Sequence, residues 1–79
     1  LSQGMAAMMD VVLKSRRGVD REEALAILPE ARAVAARYPE DAGVLAALAE
    51  AEYDAGNDAE AIAAADRAIA RDRQQHNAY

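Results

Sequence analysis

The sequence predicts an all-α fold of about four helices that pair as antiparallel hairpins. Apolar residues recur along the chain at the three- and four-residue spacing of a helix face. No segment shows the strict alternation of apolar and polar residues that is typical of a half-buried strand. The two halves also match without a gap at a spacing of 37 residues, the separation of Ala24 from Ala61 and of Ala31 from Ala68. The chain therefore looks like one hairpin followed by a second copy.

The first predicted helix has its apolar residues on one stripe. They lie at the offsets i, i+3, i+4, i+7 and i+8, and are Met5, Met8, Met9, Val12 and Leu13. The helix should end near Arg17, because cationic residues suit its last turn and Gly18 can adopt a left-handed cap.

The second helix is predicted to begin after Asp20, whose carboxylate can accept from free amides of the first turn. Glu23, three residues on, completes a capping box. Pro29 interrupts the helix and predicts a kink or a split near residues 26–29, at a cost of about 3 kcal/mol if unrelieved. Pro39 ends the segment after Tyr38.

The third and fourth helices are separated by a short turn. The third should run from about Asp41 to Ala55, with Gly56 ending it. Its inner side is expected to contain Val44, Leu45, Leu48, Ala49 and Glu52. The fourth begins with Asn57 as its cap and Glu60 at the capping-box position. Its inner stripe is predicted to be Ala61, Ile62, Ala65, Ala68 and Ile69.

The second half of the chain resembles a tetratricopeptide (TPR) repeat, a helical hairpin of about 34 residues. The residues at the family's offsets are Leu45, Leu48, Ala49, Gly56, Ala61 and Ala68. The resemblance implies a short right-handed α-solenoid, in which 1–79 is a single TPR-like domain. A divergent first repeat covers about 5–41, a regular second repeat about 42–75, and 76–79 would open a third repeat and a fifth helix. The alternative is one TPR hairpin packed on an unrelated pair of helices.

Composition excludes several classes of function. The formal net charge of −5 argues against nucleic acid as a partner, and the apolar stretches are too short for a membrane span, so we expect a soluble chain. The only histidine, His76, has no second histidine or cysteine to form a metal site or a nucleophile with its base. We therefore predict no enzymatic activity and no cofactor. The absence of cysteine does not distinguish a cytoplasmic from a periplasmic or secreted location.

The expected function is protein binding in a groove. The resemblance implies a concave groove lined mainly by the first helix of each hairpin. Carried over by position, the candidate partner-binding residues are Met9, Leu13, Arg16, Arg17, Ala46, Glu50, Tyr53 and Asp54. Ala46 and Glu50 stand where the family's carboxylate clamp would need a base and an amide, so we expect a different protein or peptide partner.

Three alternatives remain at this point. Met9 and Leu13 are also well placed to pack under the neighbouring helix instead of lining a groove. The chain could serve as a self-associating structural module, a homo-oligomer that covers the apolar ends of a short array. It could also be the accessory TPR region of a larger enzyme.

Overall fold

The computed structural model describes residues 2–15 and 20–77, and their regular structure is entirely helical. The helices are α1 (Gln3–Ser15), α2 (Arg21–Arg37), α3 (Ala42–Asp54) and α4 (Asp58–Asn77). The prediction of an all-α chain with four helices is confirmed over these ranges. The predicted end of the first helix at Arg17 and Gly18 lies outside the described residues. Helix α4 continues through His76, so the predicted start of a third repeat at 76–79 stays a prediction.

Two aspartates begin helices. The Asp20 carboxylate accepts from the Glu23 backbone N–H at 2.9 Å, which confirms the predicted start of α2. The Asp41 carboxylate accepts from the Val44 N–H at 3.2 Å at the start of α3. Each bond satisfies an amide that has no partner within its own helix.

Helix α2 runs unbroken through Pro29, so the alternative of a split helix is wrong. Pro29 itself is exposed, whereas its near neighbours Leu28 and Ala31 are buried in the core. Packing on both sides of the proline therefore holds the segment helical, although proline provides no N–H for the helix ladder.

Gly56 makes the turn between α3 and α4, as predicted. Its φ of +86° lies in the left-handed region that favours glycine. The Gly56 N–H donates to the Tyr53 carbonyl at 2.9 Å, and the Asn57 N–H donates to the Glu52 carbonyl at 2.8 Å. This pair of bonds is the Schellman motif, which satisfies the last carbonyls of a helix. The Asn57 carbonyl then accepts from the Ala61 N–H at 2.9 Å as α4 begins.

Helix α3 is the central helix, because it packs against α1, α2 and α4. Helix α1 also packs against α2, whereas α4 packs against α3 alone among the described helices. The largest fully buried side chains are Met8, Leu45 and Val44. Around them the core consists mainly of alanines, which allow helices to approach closely.

Two predicted apolar stripes are rotated relative to the observed core. In α1, Met8 and Val11 are buried while Leu13 is 52% exposed. In α4, the buried residues are Ala61, Ala64 and Ala68. The predicted inward positions of Ile62 and Ile69 are wrong, since these side chains are 63% and 55% exposed. Contact with α3 alone selects the alanine side of α4, and the two isoleucines are left facing outward.

Candidate functional site

An open cleft of about 800 Å³ lies over the second half of α3 and the first half of α4, near the turn that joins them. Its volume falls within the range of about 300–1,000 Å³ that is typical of ligand pockets. We call it the α3–α4 cleft. Its lining residues are Val12, Ala49, Glu50, Tyr53, Asp54, Asp58, Ala61, Ile62 and Ala65.

The floor of the cleft is made of small apolar side chains. Ala61 is buried, and Ala49 and Ala65 are half-buried. Because alanine carries only a methyl group, another backbone can come close to α3 and α4 here. Beside this floor, Tyr53 is 69% exposed and Ile62 is 63% exposed. Apolar side chains grouped on a surface in this way are typical of interaction sites.

Three carboxylates give the cleft a negative charge. Glu50 and Asp54 come from α3, and Asp58 comes from the first turn of α4. All three are exposed, and none forms an ion pair with another residue of the described ranges 2–15 and 20–77.

The positions of Glu50 and Asp54 do not stabilise α3. They lie four residues apart, a spacing at which like charges destabilise a helix by about 0.2–0.5 kcal/mol. Asp54 also lies in the last turn of α3, which has no basic residue and where an anion costs about 0.3–1 kcal/mol. Asp58 differs, because an anion in the first turn of α4 is favoured by the dipole. Helix stability thus accounts for Asp58 but not for Glu50 and Asp54.

A buried ionic network fixes the turn beside the cleft. Glu52 is only 4% exposed, and its carboxylate accepts from Arg32 Nε and Nη2, both at 3.0 Å, and from Asn57 Nδ2 at 2.9 Å. The bonds from Arg32 hold the pKa of Glu52 below its usual range, and the Asn57 bond acts in the same direction. One side chain therefore ties α2, α3 and the α3–α4 turn together, and so it positions the cleft without lining it.

The structure brings together three of the residues predicted from α3. Glu50, Tyr53 and Asp54 all line the α3–α4 cleft. Ala46, one turn before Glu50, is exposed on α3 but is not part of the lining.

The residues predicted from α1 lie elsewhere. Met9 is half-buried and Leu13 is exposed, and neither lines the cleft. Arg16 and Arg17 lie outside the described residues. Helix α1 reaches the cleft instead through Val12, a residue of its predicted apolar stripe.

The contribution of α4 was missed by sequence reasoning. The sequence predicts Ala61, Ile62 and Ala65 on the inner stripe of α4, and it does not single out Asp58 as a binding residue. The signal that could have identified them is the pair Ile62 and Ile69, since two large β-branched residues seven positions apart mark one side of an alanine-rich helix.

Comparison of the chain with protein-family models, with curated proteins and with solved structures gave no match. Over the described ranges, no group of three or more His, Cys, Asp or Glu side chains is placed to hold a metal ion. None of the helices described combines the length and apolar character needed to cross a bilayer. The α3–α4 cleft is therefore the candidate functional site of the chain.

Proposed function

We propose that this chain is a protein-interaction module of two TPR-like helical hairpins, which binds a segment of a partner protein in the α3–α4 cleft. The observation that carries the proposal is the cleft surface, where the exposed side chains of Tyr53 and Ile62 flank a floor of alanines. Large aromatic and aliphatic groups beside a close-approach surface are typical anchors of protein interfaces.

The packing of the helices supports the hairpin arrangement. Helices α1 and α2 contact each other, as do α3 and α4, and α3 lies against both helices of the first pair. Two consecutive repeats stacked on one another would have these contacts. The glycine turn at Gly56 and the 37-residue match between Ala24 and Ala61 are consistent with the same arrangement.

The binding surface that we propose differs from the groove that the resemblance implies. That groove is lined mainly by the first helix of each hairpin, which here means α1 and α3. The α3–α4 cleft includes the second helix of the second hairpin as well, through Ala61, Ile62 and Ala65. A partner in this cleft would contact both helices of one hairpin.

An enzymatic role fits this cleft less well than binding. Among the described residues, the ionisable groups of the lining are three carboxylates and the phenol of Tyr53, and none of these lining residues is a serine, cysteine or lysine. Such a set of groups favours contact with a partner over group transfer.

The proposal is tested by filling the cleft. In Ala65→Gln a longer uncharged side chain would occupy the floor, whereas Ala63→Gln makes the same change at an exposed position on the opposite side of α4. Both substitutions keep a good helix former, and circular dichroism checks that both variants fold.

The assay is a selection of displayed random peptides on the immobilised full chain. We expect peptides enriched on the unmodified chain to be retained by Ala63→Gln and lost by Ala65→Gln. Peptides that bind all three proteins equally, or a selection that yields no binder, would contradict the proposal.

A further inference from the structure

We infer that the occupant of the α3–α4 cleft is a cationic amphipathic helix of a partner protein. This inference rests on the proposed function and specifies the chemistry of the partner. The apolar side of the helix would lie on the alanine floor, and its Lys or Arg residues would pair with Glu50, Asp54 and Asp58. Three features of the molecule support it.

The first feature is that the first hairpin already accommodates a helix at the equivalent place. The 37-residue match pairs Ala24 with Ala61 and Leu28 with Ala65. In the first hairpin, α3 packs across both α1 and α2, and Ala24 and Leu28 are buried. At the equivalent positions of the second hairpin Ala61 is also buried and Ala65 is half-buried, and no further helix lies across them among the described residues. The surface that receives α3 in the first hairpin is thus repeated in the second and left open.

The second feature is a reversal of charge between the two hairpins. The residues 37 positions before Asp54 and Asp58 are Arg17 and Arg21. At these positions the sequence of the second hairpin has aspartates where that of the first has arginines, so a cationic occupant suits the second hairpin.

The third feature is that the cost of Glu50 and Asp54 within α3 is relieved by a cation. The two carboxylates repel each other across one helical turn, and Asp54 also opposes the dipole of its own helix. A Lys or Arg side chain placed between them would remove both effects when the partner binds.

A second copy of the chain is a poor occupant. The formal net charge is −5, and two clefts facing each other would bring together three carboxylates from each copy. Helix α1 does not supply the missing helix, because Met8 and Val11 on its apolar side are already buried in the core.

The probes are two synthetic peptides of about 16 residues, a length of about 24 Å as a helix. Both have leucines at the same helical spacing, and the remaining positions are lysine in one peptide and glutamate in the other. Binding of each labelled peptide to the full chain is measured by fluorescence anisotropy. We expect the Leu/Lys peptide to bind at least about tenfold more tightly than the Leu/Glu peptide. A Leu/Lys peptide with a central proline should lose most of this affinity, because proline breaks the helix.

Removal of the cleft charges tests where the peptide binds. The variant E50Q/D54N/D58N changes three carboxylates to amides of similar shape, so the formal net charge rises by three from −5 to −2. We expect it to bind the Leu/Lys peptide roughly tenfold more weakly than the unmodified chain, since exposed charge pairs each contribute modestly.

The matched control is D10N/E22Q/E23Q, which also raises the charge by three from −5 to −2 but changes exposed residues outside the cleft. Its affinity for the Leu/Lys peptide should change by no more than about twofold. Equal losses in the two triple variants would overturn the inference, because they would show a general effect of net charge.

Other outcomes separate this inference from the proposed function. Equal affinities of the chain for the Leu/Lys and Leu/Glu peptides would overturn the inference that the partner is cationic. If Ala65→Gln does not weaken binding, the peptide does not lie in the cleft and the inference is overturned. If the central proline does not weaken binding, the peptide does not bind as a helix and the inference is overturned as well. If selected peptides bind in the cleft but neither synthetic helix does, the inference fails and the proposed function stands.

Discussion

Substitution of Glu52 by glutamine is the sharpest test of how the cleft is held in place. Glu52 is buried, and its carboxylate accepts two hydrogen bonds from Arg32 and one from Asn57. Glutamine has nearly the same shape but only one acceptor oxygen. Its NH₂ group is a donor and would face the donor groups of Arg32 or Asn57. The change therefore removes charge and hydrogen bonds without opening a large cavity.

The expected loss of stability follows from these bonds. A hydrogen bond to a charged group contributes about 1.5–3 kcal/mol, and glutamine keeps one of the acceptors. The Arg32 side chain is half-exposed and regains water when its partner is lost, which reduces the effect. We expect Glu52→Gln to lower the free energy of unfolding by about 1–2 kcal/mol. For a domain of this size, that change lowers Tm by about 4–16 °C.

The contribution of Glu52 to the free energy of unfolding decreases as the pH falls. The pKa of Glu52 is held below its ordinary value of 4.5 in the folded chain. Its contribution to stability is therefore complete above about pH 4.5 and is lost as the pH falls through the lower folded pKa. The Tm difference between the unmodified chain and Glu52→Gln should shrink on acidification below pH 4.5. Asp41 leaves some acid sensitivity in both proteins, because the Ser2 hydroxyl lowers its pKa as well.

The assay is thermal unfolding followed by circular dichroism between pH 7 and pH 3. The control is Glu50→Gln, a substitution of an exposed glutamate on the same helix, whose free energy of unfolding should change by no more than about 0.5 kcal/mol, as is typical of surface positions. A Glu52→Gln variant as stable as the control at pH 7 would refute the reasoning. A Tm difference that stayed constant down to pH 3 would refute the assignment of the pKa.

Three further predictions concern the helices themselves. Pro29→Ala should raise stability by about 1–2 kcal/mol in urea unfolding, because alanine restores a helical N–H at an exposed position of α2; a lower midpoint would contradict this. Gly56→Ala should lower stability by about 1–2 kcal/mol, since its φ of +86° strains any residue with a Cβ; an unchanged urea midpoint would count against the glycine turn. Met8→Ala should cost about 2–5 kcal/mol and Met9→Ala clearly less, because only Met8 is fully buried; equal Tm changes would show that the core is misplaced.

The sequence was sufficient to predict the helices and the residues at which they begin or end, because these depend on local signals. Asp20 caps α2 through an amide three residues away, and Gly56 takes the left-handed conformation that ends α3. The inward position of Glu52 on α3 was also predicted. Its partner Arg32 was not, because the two residues meet only when α2 packs against α3.

The sides of α1 and α4 that face the core were harder to predict. In α4 alanine or isoleucine occupies nine of the twenty positions, and these are spread around the first half of the helix, so the apolar stripe is wide and does not select one direction. Burying a methyl group gains little, about 25 cal/mol per Å² of apolar area, and the packing of α3 decides the orientation. Ile62 and Ile69 thus face outward, and half of the cleft could not be located from the sequence.

The central claim is that the α3–α4 cleft, and not a groove between α1 and α3, is the binding surface. The most direct measurement is a titration of the ¹⁵N-labelled full chain with the Leu/Lys peptide, followed by backbone amide chemical shifts. We expect the largest changes at Ala49, Tyr53, Asp58 and Ala65, with small changes in α2. Largest changes in α1 around Leu13, with the first half of α4 unaffected, would contradict it.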